Sequence, residues 1–118
     1  MSRNIWKERA RYRRLSWQDY KIDRKRYLEL RNGCRTGKYS PEMLSKACRG
    51  VEFVEPWILL SVSESISYDR LEFSTRLGRI PVGRTDFYGY RRRFYYNLNF
   101  LLQCEKMSDK GELLTIVD

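Results

Sequence analysis

Apolar residues in this chain recur mainly at helical spacing, and the clearest run lies in its C-terminal third. Phe87, Tyr90, Phe94, Leu98 and Leu101 follow one another at steps of 3, 4, 4 and 3, the stripe of an amphipathic helix. Thr85 offers a side-chain acceptor as the N-cap of that helix, and Asp86 places an acid in its first turn. Gly89 weakens it by about 1 kcal/mol relative to Ala. Upstream, residues 4–31 read as helical, in two pieces. Ser16 and Asp19 have the spacing of a capping box, with Asp in place of Glu, and could restart a helix there. From that point Trp17, Tyr20, Tyr27, Leu28 and Leu30 fall mainly on one side, Ile22 fits less well, and Asn32-Gly33 supplies a stop.

Residues 34–39 read as a loop. Ser40-Pro41-Glu42 then opens a helix, with an acceptor at the N-cap, Pro at the first helical position and an acid facing the dipole. Its stripe is Met43, Leu44, Ala47 and Cys48, and Gly50 ends it. Another helix begins at Pro56. Residues 57–66 are apolar on several sides and form the candidate central buried element, although a buried strand is compatible with so short a run. Ser67 caps a short helix in which Tyr68, Leu71 and Phe73 or Leu77 face inward, closed by Gly78. Residues after Met107 read as a loose tail in which 113–117 could form a short strand. The pattern predicts a mostly α protein, a small helical bundle with a C-terminal helix-turn-helix-like unit. Its expected divisions are a basic helical N-terminal region (1–50), a helical core (51–105) and a tail (106–118).

Charge sharpens this picture. The 118 residues carry a net charge of +9, unevenly spread. Residues 1–50 hold 15 basic and 5 acidic side chains, a net +10, whereas 51–75 hold one basic and five acidic, a net −4. Residues 76–93 hold six arginines and one aspartate, a net +5, and the remainder carries −2. Of the 24 basic residues 17 are arginine, whose planar fork suits phosphates and guanine edges. Solubility alone needs no such bias, so a polyanionic partner is the favoured explanation.

The cationic cluster coincides with a structural pattern: a short helix, a Gly/Pro turn over residues 79–84, and a longer helix. In a helix-turn-helix the start of the second helix meets base edges while the turn touches phosphates. If the aromatic seam faces the core, Thr85, Gly89, Arg92, Arg93 and Tyr96 lie opposite it, and Arg91 sits at the boundary. The candidate nucleic-acid-binding residues are therefore Arg76, Arg79, Arg84, Thr85, Tyr88, Arg91, Arg92 and Arg93. Arg92 and Arg93 are expected to read bases or phosphates, Arg84 and Thr85 to hold a phosphate at the helix start, and Arg76 and Arg79 to flank the backbone. An ordinary solvated helix face would carry the same charges. In the N-terminal block Lys7, Arg11 and Arg14 are candidate phosphate contacts, with a plain scaffold helix as the alternative. Tyr96 and Phe100 lie on the wrong face for a single core. A two-fold dimer contact or packing against the chain's own N-terminal helix would each explain them.

The stretches Ile66-Ser67-Tyr68-Asp69-Arg70-Leu71 and Gly83-Arg84-Thr85-Asp86-Phe87-Tyr88-Gly89-Tyr90-Arg91-Arg92-Arg93-Phe94 resemble the C-terminal half of RinA- and ArpU-type transcription regulators of phages and mobile elements. The similarity covers roughly residues 60–103. It implies DNA binding in a phage or integrated-element setting, with RNA polymerase or another host protein as a partner. The turn departs from that pattern, since 79–84 holds Pro81 and an extra glycine.

Other chemistry is sparse. No histidine is present, which removes the common zinc spacings and every His-based acid–base scheme. Cys34, Cys48 and Cys104 are odd in number and far apart, so buried reduced thiols are expected, with no disulfide framework, metal or cofactor. Glu52 with Glu55 and Glu64 with Asp69 are the only obvious cooperating acids, and no phosphate loop or nucleophile motif accompanies them, so an enzyme is not expected. No apolar run approaches the roughly 20 residues of a membrane span, and Met1 to Arg14 lacks a secretory apolar region; a soluble, cytoplasmic protein is expected. The expectation is a small DNA-binding regulator with duplex DNA as the favoured partner. An RNA-binding protein, or a phage-encoded inhibitor of a host protein or ribonucleoprotein, is the alternative.

Overall fold

The computed structural model describes Tyr12, residues 14–73 and residues 77–117, with backbone alone from 106 onward. Among these the secondary structure is helical, without a strand. Besides Tyr12 and Arg14, which are helical, the described residues form α1 (Arg24–Thr36), α2 (Pro41–Lys46), α3 (Glu55–Glu64), α4 (Tyr68–Glu72) and α5 (Arg84–Val117).

Ser16 and Asp19 do form the reciprocal box: the Ser16 N–H donates to Asp19 Oδ2 at 2.8 Å and the Asp19 N–H to Ser16 Oγ at 3.2 Å. The box closes a single turn and does not restart a helix, because Lys21 turns left-handed at φ 57°. Asp23 caps α1 instead, accepting from the Arg26 N–H at 2.7 Å. Ile22 therefore misses the helical stripe yet is buried.

Gly33 does not stop α1, which runs on to Thr36 and ends on Gly37 at φ 76°. Gly33 is there for close approach. A Cβ at this position would lie 2.4–2.6 Å from the Tyr39 ring and hydroxyl, so only a bare Cα lets that ring press on the helix. The expected loop over 34–39 shrinks accordingly. Ser40 caps α2, its Oγ accepting from the Met43 N–H at 3.1 Å, with Pro41 leading the helix. Gly50, at φ 88°, ends the turn that follows α2.

A short 3-10 turn (Glu52–Val54) feeds α3, which is a helix and not a strand, with Ile58, Ser61 and Val62 buried. Ser67 caps α4, accepting from the Arg70 N–H. Leu71 is buried, but Phe73 is 88% exposed and Leu77 is also exposed, so neither joins the core as expected. The connector is fastened at its far end. Trp57 Nε1 donates to the Gly78 carbonyl at 3.3 Å, Ile80 is buried, and the Tyr68 hydroxyl lies 2.9 Å from the Val82 carbonyl.

The long α5 is the axis of the core. Phe87, Tyr90, Phe94 and Leu98 are buried as the spacing predicts, Leu101 is half-buried, and Tyr95 is buried beside them. Three features differ from expectation. The helix starts at Arg84, so Thr85 lies inside its first turn and does not cap it. Gly89 is buried. Residues 106–117 continue the helix, replacing the loose tail and the short strand. The core takes Leu30, Cys34 and Tyr39 from before residue 50 and Phe87, Phe94 and Leu98 from beyond it, so the change in charge at 50 marks no break in packing. Tyr96 packs on Tyr20 at 4.9 Å between centroids, an intramolecular partner for the second face, while Phe100 stays 54% exposed. Cys34 and Cys48 are buried free thiols, and burial pushes both up to about 12; Cys104 is exposed, against expectation.

Candidate nucleic-acid interface

Consecutive residues on a helix are turned by about 100°, so Arg91, Arg92 and Arg93 leave α5 in three directions. Each finds a partner within the chain. Arg91 is half-buried; its Nη1 donates to Ser61 Oγ at 3.1 Å and its guanidinium lies 4.6 Å over the Tyr88 ring. Arg92 is half-buried and its Nε donates to the Leu15 carbonyl at 3.0 Å. Arg93, half-buried too, rests between the Tyr12 and Tyr96 rings at 4.5 and 4.9 Å. Among the described residues its buried Nε has no hydrogen-bond partner and neither has the Tyr20 hydroxyl, whose pKa burial raises against the opposing charge of Arg93. The expected exposed row of Arg92, Arg93 and Gly89 is thus replaced by stacked and hydrogen-bonded guanidiniums that bind the N-terminal segment to α5. Tyr88 is also occupied: its hydroxyl accepts from the Tyr68 N–H at 3.0 Å.

The start of α5 is different. Arg79, Arg84 and Thr85 are exposed. Arg84 forms an ion pair with Asp69 across two side chains that are 61% and 58% exposed, and its guanidinium lies 6.0 Å from the Tyr68 ring. Burial raises the pKa of the Tyr68 hydroxyl, Glu72 adds to the rise, and the charges of Arg79 and Arg84 both oppose it. Of the expected residues, then, the structure leaves Arg79 exposed on the connector and Arg84 and Thr85 exposed in the first turn of α5, and turns Tyr88 and Arg91–93 toward internal contacts. Arg14 is exposed and helical. Arg76, Lys7 and Arg11 lie outside the described residues.

No family model, curated protein or solved structure matches this chain.

A second cationic surface was not anticipated. A cleft of about 660 Å³ opens between the turn after α2 and the far side of α5, lined by Lys46, Arg49, Arg93, Tyr96, Asn97 and Phe100 among others. Asn97 builds it, its Nδ2 donating to the Ala47 and Arg49 carbonyls at 2.9 and 3.0 Å and so pinning that turn to the helix. The sequence signal was the misplaced pair Tyr96 and Phe100; what it lacked was any sign that Lys46 and Arg49 stand opposite. Among the described residues no cluster of three or more Cys, Asp or Glu could hold a metal ion, and no helix is long and apolar enough to cross a membrane.

Proposed function

We propose that this protein binds nucleic acid, duplex DNA above all, with Arg79, Arg84 and Thr85 at the start of α5 against the phosphate backbone. The observation that carries the reading is the exposure of Arg84 and Thr85 in the first turn of a helix whose next turn, at Phe87, is locked in the core, with Arg79 exposed on the connector that leads into it. A docking element needs this combination of a rigid base and a free cationic tip. The Arg84–Asp69 pair does not oppose it. Exposed ion pairs are worth about 0–1 kcal/mol, so a phosphate can displace the carboxylate. Free N–H groups at the helix start add to the attraction. With the resemblance of residues 60–103 to RinA- and ArpU-type regulators, the reading extends to a transcription regulator of phage or mobile-element type. In the helix-turn-helix version of this reading, α4 and α5 are the two helices, joined by residues 73–83 in place of the usual 3–4-residue turn.

A second reading has its own support. Phe100 stands 54% exposed in the cleft beside Lys46 and Arg49, a ring and two cations suited to a stacked base and its phosphate in single-stranded RNA or DNA. Fluorescence anisotropy with duplex DNA, single-stranded DNA and hairpin RNA, over about 50 to 200 mM salt, tests both. Duplex binding that tightens as salt falls and weakens in the Arg79→Ala, Arg84→Ala variant supports the first reading. Duplex binding unaffected by that change overturns it, and single-strand binding lost in Phe100→Ala selects the second.

A further inference from the structure

Beneath the turn between α3 and α4 lies a smaller hollow of about 230 Å³, bounded by Arg31 of α1, Ser65 and Ser67 of the turn, and Arg91 and Tyr95 of α5. It exceeds the roughly 150 Å³ of a cavity that admits benzene, yet guanidiniums and hydroxyls supply much of its wall. Two arginines line it and, among the described residues, no carboxylate does. Arg31 is half-buried, and no hydrogen-bond or ion-pair partner serves it among the described residues. Arg91 is held in place by the buried Ser61 hydroxyl and the Tyr88 ring. Ser61 is fixed in turn, its Oγ donating to the Ile66 carbonyl at 2.6 Å.

We propose that this hollow is an anion-binding site for a phosphate monoester, with Arg31 and Arg91 taking the phosphate oxygens. Two like charges brought together in a half-buried hollow are unfavourable unless a counter-charge joins them, and a dianion supplies one. Two guanidinium forks in one lining suit a phosphate, whose several oxygens can accept from both. Both cations act on the same buried group, for burial raises the Tyr95 hydroxyl while Arg91 and Arg31 oppose the rise. The volume beyond one phosphate leaves room beside the Tyr27 and Tyr88 rings for the carbon group that carries it. The site is separate from Arg79 and Arg84, so its existence does not depend on DNA binding. It touches α1, the α3–α4 turn and α5 together, and its occupant stabilises all three by mass action.

The test is a thermal-shift and amide-NMR titration with inorganic phosphate and, separately, glycerol 3-phosphate, against chloride at equal ionic strength. The expected result is a saturable rise in Tm above the chloride control, with shifted amides concentrated in residues 61–67 and 88–95. Arg31→Gln is expected to weaken binding by about tenfold or more, the scale of one charge-assisted hydrogen bond. Arg91→Lys, which keeps the charge but loses the fork, is expected to weaken it as well, while Arg35→Gln on the exposed end of α1 binds as the parent does. A larger response to the ester shows that the attached group is bound, and an equal response identifies the free ion as ligand; both support the site. No rise above chloride, or a rise undiminished in both Arg31→Gln and Arg91→Lys, overturns it.

Discussion

The Nε of Arg92 donates a 3.0 Å hydrogen bond to the carbonyl of Leu15, joining residues 77 positions apart. A guanidinium placed there holds the chain's N-terminal segment against its longest helix. The bond is charge-assisted and part-buried, so it belongs with the stronger class of protein hydrogen bonds.

Arg92→Ala is accordingly expected to lower stability by about 1.5–3 kcal/mol, the range for hydrogen bonds to charged groups. Urea denaturation reads the loss. Preference among duplex DNA sequences is expected to stay as in the parent. Unchanged stability with lost sequence preference would instead make Arg92 a base-reading residue.

Gly33→Ala ordinarily favours a helix by about 1 kcal/mol. Here the new methyl would stand 2.4 Å from the Tyr39 ring, and forcing extra volume into a packed site costs about 1–3 kcal/mol. A net loss of stability is expected on thermal melting. Stabilisation would show that Tyr39 yields freely and that the contact matters little.

The thiols give a pH signature. Burial disfavours thiolate at Cys34 and Cys48, so each folded value, about 12, lies above the ordinary 9. The stabilisation these groups lend is complete below pH 9 and declines as pH rises from 9 toward 12, because the unfolded chain ionises first. A thiol reagent at pH 8 is expected to label exposed Cys104 quickly and the other two only on unfolding. Rapid modification of all three in the native protein would contradict the packing around α1 and the turn after α2.

Asp69→Asn removes the carboxylate that Arg84 pairs with, and the pair is exposed enough for the change to cost less than about 1 kcal/mol of stability. Duplex DNA binding is expected to tighten severalfold. Conversely, Arg79→Ala with Arg84→Ala is expected to reduce the slope of log affinity against log salt by about 1.8, two phosphates at roughly 0.9 each. A slope that does not move would place the contacts elsewhere.

Much of the helical framework was legible because its signals are local. The 3-4 spacing of Phe87, Tyr90, Phe94 and Leu98 marks the inner face of α5, and Ser40 and Ser67 announce helix starts by chemistry within three residues. What failed depended on distant neighbours. Gly33 reads as a stop until Tyr39 is seen folded against it. Arg92 and Arg93 read as an outward row until Leu15, Tyr12 and Tyr96 are found across from them. Charge is written in the sequence, but the partner that consumes it is not. The cleft of Lys46, Arg49 and Phe100 was hidden for the same reason, since it needs two elements brought side by side.

The stitching of the connector at Gly78, Ile80 and Val82 sets how this protein can change. Its anchors are a backbone carbonyl, a buried aliphatic chain and another backbone carbonyl, none of which involves a charged side chain. Arg79 sits among them as a passenger. Substitutions there can alter what the surface attracts while the pose of α5 stays put, a separation of grip from posture that lets a new target be explored without refolding the molecule.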